Sequence, residues 1–205
     1  MDTSFTRILL PRLGWSRMIF AMSSRCRTAN TVGSVSERTA RLVKKGAKGI
    51  VLDLRDDPGG LLQQAIGTVS LFVKSGVVCV TEGVHHGRVV YHVTGKAPLA
   101  DVPLIVLVDE QSASASEVVA GALGDNGRAL VVGRRTYGKA SVQSLRELSN
   151  GAALKLTTAV FRTPSGVNLM GKGLKPDVHA FDRPETVGDE ALVRASDVLR
   201  RQLGT

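Results

Sequence analysis

Three short, almost wholly apolar runs constrain this chain most, because each is cut off by glycine or by small residues. Gly49-Ile50-Val51-Leu52-Asp53-Leu54 breaks at Asp56-Asp57-Pro58-Gly59-Gly60, and Pro103-Leu104-Ile105-Val106-Leu107-Val108 leads into Ser112-Ala113-Ser114. Ala129–Gly133 opens onto Arg134-Arg135-Thr136-Tyr137-Gly138-Lys139. Runs without polar alternation mark strands buried on both faces, as in a parallel sheet. Between the first two, Leu62, Ile66, Val69 and Phe72 recur at helical spacing within Leu61–Val73. A second helix is predicted from about Ala115 to Leu123. Strand, turn and helix in repetition predict an α/β layered domain.

The remaining elements are read locally. Ser34-Val35-Ser36-Glu37 fits a capping box, with Ser34 as N-cap of a helix that Gly46 stops. Val77–Glu82 and Arg88–Thr94 form β-rich runs around His85-His86-Gly87, the pattern of a hairpin. Ala153–Phe161 is a longer strand, and a helix over about Val187–Leu203 closes the chain. With 43% hydrophobic but 4% aromatic residues, the core is built mainly from Val, Leu, Ile and Ala. A length of 205 residues suits one domain.

The net charge of +9 is local. Residues 1–48 hold ten of the 27 Lys/Arg but two of the 18 Asp/Glu, leaving 17 basic and 16 acidic residues beyond. A nearly neutral globular part offers no electrostatic footprint for nucleic acid, which is excluded as a partner. Within residues 1–30, Ile8-Leu9-Leu10 and Met18-Ile19-Phe20-Ala21-Met22 are too short to cross a bilayer, and arginines interrupt them. No continuous apolar centre precedes a small-residue cleavage site there. Residues 1–30 are therefore read as a flexible or misassigned leader ahead of a core at 31–205. Cys26 and Cys79 have neither metal spacing nor a disulfide framework, and no metal or cofactor is expected.

Three segments could carry chemistry. The paired glycines Gly59 and Gly60 let backbone amides approach an oxyanion or a carboxylate, although an ordinary tight turn accounts for them equally. Ser112-Ala113-Ser114-Ala115-Ser116-Glu117 opens a helix, where free N–H groups and the helix dipole would stabilise an alkoxide and a tetrahedral oxyanion. Helix capping and tight packing of small residues explain it as well, and the chemistry does not say which of the three serines attacks. Lys139 sits among small residues just after a strand. An amine drawn into a dry site has its charged form disfavoured and can accept a serine proton, whereas on an open loop it is merely solvated. Lys139 is not part of a phosphate loop, because the upstream glycine spacing and a following Ser/Thr are missing.

Taken in order, Asp53–Gly60, Ser112–Glu117 and Thr136–Gln143 resemble landmarks of the carboxy-terminal processing (tail-specific) peptidases: Asp-Leu-Arg-x-Asn-Pro-Gly-Gly, Ser-Ala-Ser-Ala-Ser-Glu and Thr-Phe-Gly-Lys-Gly-x-x-Gln. Leu156-Thr157-Thr158-Ala159, Thr163-Pro164-Ser165-Gly166 and Gly173-Leu174-Lys175-Pro176-Asp177 extend the likeness, which runs from about Val32 to Phe181. The resemblance implies a crotonase-like α/β layered core with a small β-rich rim. It implies Ser114 as nucleophile, Lys139 as base, Gln143 orienting the lysine and Asp125 as a supporting polar residue. Ala115 and a glycine of Gly59-Gly60 would supply the oxyanion-hole amides. It further implies a protein or peptide substrate with a free apolar carboxy terminus and an extracytoplasmic location at the cell envelope or periplasm; membrane association is left open. Departures are Asp57 for Asn, Tyr137 for Phe and Ala140 for Gly. The PDZ domain usual in the family has no room here, so the core at 31–205 is expected to stand without one. Two rivals follow: a non-catalytic peptide-binding remnant, and a thioester enzyme of crotonase type that would not need the Ser114 and Lys139 pair.

Overall fold

The computed structural model of the chain describes residues 19–23, 31–83, 87–183 and 187–204. In chain order these form β1 (Ile19–Ser23), α1 (Thr31–Lys44), β2 (Gly49–Asp53), α2 (Leu62–Phe72), β3 (Val77–Gly83) and β4 (Gly87–His92). There follow β5 (Leu104–Val108), α3 (Ala115–Asp125), β6 (Leu130–Gly133), β7 (Ser141–Glu147), β8 (Ala153–Arg162), β9 (Val178–His179) and α4 (Glu190–Leu203). Two sheets result: a parallel one in the order β1-β2-β5-β6-β9 and an antiparallel one in the order β4-β3-β8-β7.

The apolar runs become the centre of the parallel sheet because both of its faces are covered. Side chains alternate between faces along a strand, and the two sets enter separate cores. Ile50, Leu52, Leu104, Val106, Val108 and Val131 pack with α2, α3 and the second sheet's Val78, Cys79 and Phe161. Val51, Ile105, Leu107 and Val132 pack against Ala191, Ala195, Val198 and Leu199 of α4. All five residues of β5 are buried, as expected of a strand with helices on both sides. The chain is thus a mixed α/β fold with one parallel and one antiparallel sheet.

Several local expectations are corrected. Residues 19–23, assigned above to the leader, pair in parallel with β2 from Ile19 opposite Gly49 to Ser23 opposite Asp53. Their apolar run is too short for a bilayer but suits a strand; the rest of 1–30 lies outside the described residues. Helix α1 begins at Thr31, placing Ser34 inside the helix rather than at its cap. The cause is tertiary: the Val32 N–H donates to Gln64 Oε1 of α2, and Val32 packs close to Gly67. Strands β7 and β9 were not anticipated, and α4 starts at Glu190, behind its N-cap Asp189. The β3–β4 hairpin forms as expected, though its tip, 84–86, lies outside the described residues. It belongs to the antiparallel sheet.

Candidate active site

The parallel strands β2, β5 and β6 end on the same side, and each hands over to one of the three segments singled out above. The turn between β5 and α3 is held by Asp109 and Ser112. Asp109 Oδ1 accepts the N–H groups of Gln111 and Ser112, and both its oxygens meet the Asp56 N–H of the neighbouring turn. The buried Ser112 hydroxyl donates to the Leu54 carbonyl at 2.8 Å. Ser116 is buried within α3. Ser114 differs from both: it is partly exposed and stands at the N-cap with φ 56° and ψ −117°. A non-glycine residue there carries strain of about 1–3 kcal/mol, and a strained strand-to-helix turn is how a nucleophilic serine is presented at the end of a sheet. The three serines that sequence left equivalent are separated by burial and backbone conformation.

One buried side chain fastens this turn to the lysine loop. Glu117, fully buried in the first turn of α3, accepts four hydrogen bonds. Oε2 takes the Ser114 N–H and the Lys139 N–H, each at 2.9 Å. Oε1 takes the Thr136 hydroxyl at 2.5 Å and the Gly138 N–H at 2.8 Å. The main chains at Ser114 and Lys139 therefore share one carboxylate oxygen. Thr136 also accepts the Leu174 N–H and donates its own N–H to the Leu174 carbonyl. Gly138, at φ +89°, fits so closely that a Cβ would lie 2.7 Å from the Gly173 nitrogen and 2.9 Å from the Leu169 oxygen. The Lys139 side chain is half-buried and makes no ion pair among the described residues. Tyr137 beside it is exposed.

The glycine pair completes the arrangement. Gly59, at φ +83°, presses on the serine turn: a Cβ there would lie 2.5 Å from the Ala113 oxygen and 2.6 Å from the Ala115 nitrogen. Its N–H donates to Asp57 Oδ1 at 2.9 Å, and the Ala113 N–H donates to the Asp57 carbonyl. Gly60 faces open space, and among the described residues its amide and that of Ala115 meet no acceptor.

Two expected participants lie elsewhere. Asp125 ends α3, which is 11 residues long, so it stands about 16 Å from Ser114 at ~1.5 Å per residue. It is exposed and accepts the Ser165 N–H; the structure does not bring it to the serine. Gln143 is exposed on β7, four residues after Lys139, at an irregularity in the pairing with β8. Among the described residues no cluster of three or more His, Cys, Asp or Glu could hold a metal ion. Residues that the sequence reading quoted without a role, Glu117 and Thr136, turn out to carry the most hydrogen bonds of the site. The Ser114-x-x-Glu117 spacing of a capping box was the available signal.

Parallel strands ending in an oxyanion-type glycine turn, a strained serine and a pinned lysine define a serine-hydrolase arrangement. The sequence profile of peptidase family S41 matches residues 19–180. The carboxyl-terminal-processing protease of Picosynechococcus sp. is 42% identical over 153 residues, covering 73% of this chain and 36% of the relative. Carboxyl-terminal-processing peptidase 1, chloroplastic, of Arabidopsis thaliana is 45% identical over 138 residues, covering 67% of this chain and 28% of the relative. Among solved structures, the photosystem II D1 C-terminal processing protease superposes with a TM-score of 0.74 at 32% identity, over 89% of this chain and 46% of that one. The chain belongs to peptidase family S41, a family of serine-type peptidases, and it spans about a third of the length of these curated relatives.

Proposed function

We propose that the chain is the catalytic core of an endopeptidase that cleaves proteins near their carboxy termini through a Ser114/Lys139 dyad, on a crotonase-like layered core. The reading is carried by the Glu117 carboxylate, which fixes the main chain of strained Ser114 and of Lys139 on one oxygen. Lys139, as the free amine, takes the Ser114 Oγ proton while Oγ bonds to the peptide carbonyl carbon. The resulting oxyanion is received by the amides of Gly60 and Ala115. The lysine ammonium then protonates the leaving nitrogen as the C–N bond breaks, leaving an acyl-enzyme. Water attacks the ester, gives a proton to Lys139, and restores the Ser114 hydroxyl as the acid leaves. Gln143 orients the lysine amine once substrate is bound. The steps require neither metal nor organic cofactor.

The substrate is a protein chain with a free, apolar carboxy terminus, encountered outside the cytoplasm. The support is the names of the relatives, which include carboxyl-terminal-processing and chloroplastic enzymes. Among the described residues no helix is long and apolar enough to cross a membrane.

The test is cleavage of an unfolded protein with an apolar tail by the full chain, beside Ser114→Ala and Lys139→Ala. Expected is cleavage by the parent that each substitution lowers by at least about 10³-fold, the scale on which losing a nucleophile or its base acts. Activity that survives either change would refute the dyad.

A further inference from the structure

The reaction proposed above builds negative charge at one point, the oxygen of the tetrahedral adduct, and the chain holds an acid beside that point. Asp57 closes a turn on itself, its Oδ1 accepting the Gly59 N–H at 2.9 Å. This side-chain acceptor fixes the conformation that delivers Gly60. The same residue is tied to the serine turn through its carbonyl, which accepts the Ala113 N–H at 2.9 Å. Gly59, the donor to the carboxylate, lies so close to Ser114 that a Cβ on it would stand 3.1 Å from the serine Cβ. The carboxylate therefore sits one peptide unit from the Gly60 amide. It takes up one glycine amide and leaves those of Gly60 and Ala115 for an oxyanion. The other charges of this turn do not offset it: Asp56 is a second acid whose N–H is held by Asp109. Arg55 commits its guanidinium to Asp53, Asp182 and Asp189.

We infer that Asp57 is a positioning residue that also restrains the reaction: its oxygen shapes the oxyanion turn, and its charge opposes the oxyanion formed there. The inference rests on the peptidase reading. The two effects are chemically separable, because asparagine offers the same acceptor oxygen to Gly59 without the charge, while alanine offers neither. Like charges in a partly buried site raise the barrier in proportion to their proximity, and the penalty appears only as the adduct forms. Removal of the charge therefore acts on kcat and leaves KM nearly unchanged.

The experiment compares the full chain with Asp57→Asn and Asp57→Ala. It measures kcat and KM on an unfolded protein with an apolar tail, the affinity for a peptide boronic acid that forms an anionic tetrahedral adduct on serine, and the melting temperature. Expected for Asp57→Asn is a rise of about tenfold in kcat, equivalent to ~1.4 kcal/mol of barrier. KM and melting temperature stay the same and the boronate binds tighter by a similar factor. Asp57→Ala is expected to fall below the parent, because the turn loses its acceptor. Equal or lower kcat and boronate affinity in an Asp57→Asn protein with unchanged melting temperature would overturn the restraint while leaving the peptidase reading intact. Absence of both turnover and boronate binding in the folded parent and the Asn variant would overturn the peptidase reading, and this inference with it.

Discussion

At the scale of single residues, Glu117 has the largest structural burden for its size. A fully buried carboxylate is costly unless its lone pairs are met, and here four donors from three segments meet them. Glutamine has nearly the same shape but would turn an NH2 group toward N–H donors on one side. Glu117→Gln is expected to lose about 2–4 kcal/mol of stability, since it leaves buried donors unpaired. It should also lower kcat by about 10²-fold, because the Ser114 and Lys139 main chains are no longer held to one oxygen. Thermal melting and steady-state kinetics check both; a variant with parental kcat would mean that the clasp does not set the geometry. The residue also shows how sequence rules mislead. The Ser-x-x-Glu spacing was read as a helix start at Ser34, where tertiary packing against Gly67 and Gln64 begins the helix earlier. The same spacing at Ser114 passed without a role for its glutamate, because a glutamate that binds a distant loop looks no different in sequence from one that only caps its own helix.

At the scale of elements, the legible part was whatever local pattern decides. Strands β2, β5 and β6 and helices α2 and α3 follow from continuous apolar runs and helical spacing, and they alone carry the three segments to one sheet edge. Strands β1, β7 and β9 were not legible, since each depends on a partner distant in sequence: β1 on β2, β7 on β8, β9 on β6. The placing of Asp125 at the far end of α3 follows from helix rise alone and was open to calculation. Two elements carry testable energetics. Arg55, just after β2, binds Asp53, and it also binds Asp189 at the start of α4 and Asp182 before it. Burial works against its charge, but the hydrogen bonds and charges of Asp53 and Asp189 outweigh it and hold the pKa above the usual range. Arg55→Ala should cost about 2 kcal/mol after allowance for partial exposure, or ~4–8 °C in melting temperature. In β3, burial pushes the Cys79 thiol up to about 12. The unfolded chain's thiol ionises near the ordinary value of about 8.5, so above that pH the unfolded state sheds a proton that the folded state keeps. The contribution is intact below about pH 8.5 and is lost as pH rises toward 12, about 2 kcal/mol by pH 10. Under reducing conditions the urea midpoint should fall across this range, and Cys79→Ala should remove that part of the fall.

For the whole molecule, the decisive fact is that the parallel sheet has two faces and the site needs both of them covered. The family profile matches residues 19–180, yet α4, at Glu190–Leu203, lies beyond that span and fills one face. Val51, Ile105, Leu107 and Val132 are fully buried only because Ala191, Ala195, Val198 and Leu199 lie over them. Each large apolar side chain so buried contributes about 1.5–3 kcal/mol. Uncovering four of them removes on the order of 6–12 kcal/mol by the same scale, against a total stability for such a domain of roughly 5–15 kcal/mol. A chain ended after Arg183 should therefore fail to fold rather than fold with a weakened site, and its product should be found in aggregates, because the bared face is a continuous apolar surface. The single change Leu199→Ala tests the same dependence gently, with an expected cost of about 2–5 kcal/mol. Substrate turnover per folded molecule should stay unaltered, since Leu199 touches the face opposite the serine turn. A soluble, cooperatively unfolding product of the truncation would show that the sheet finds its cover elsewhere in the chain.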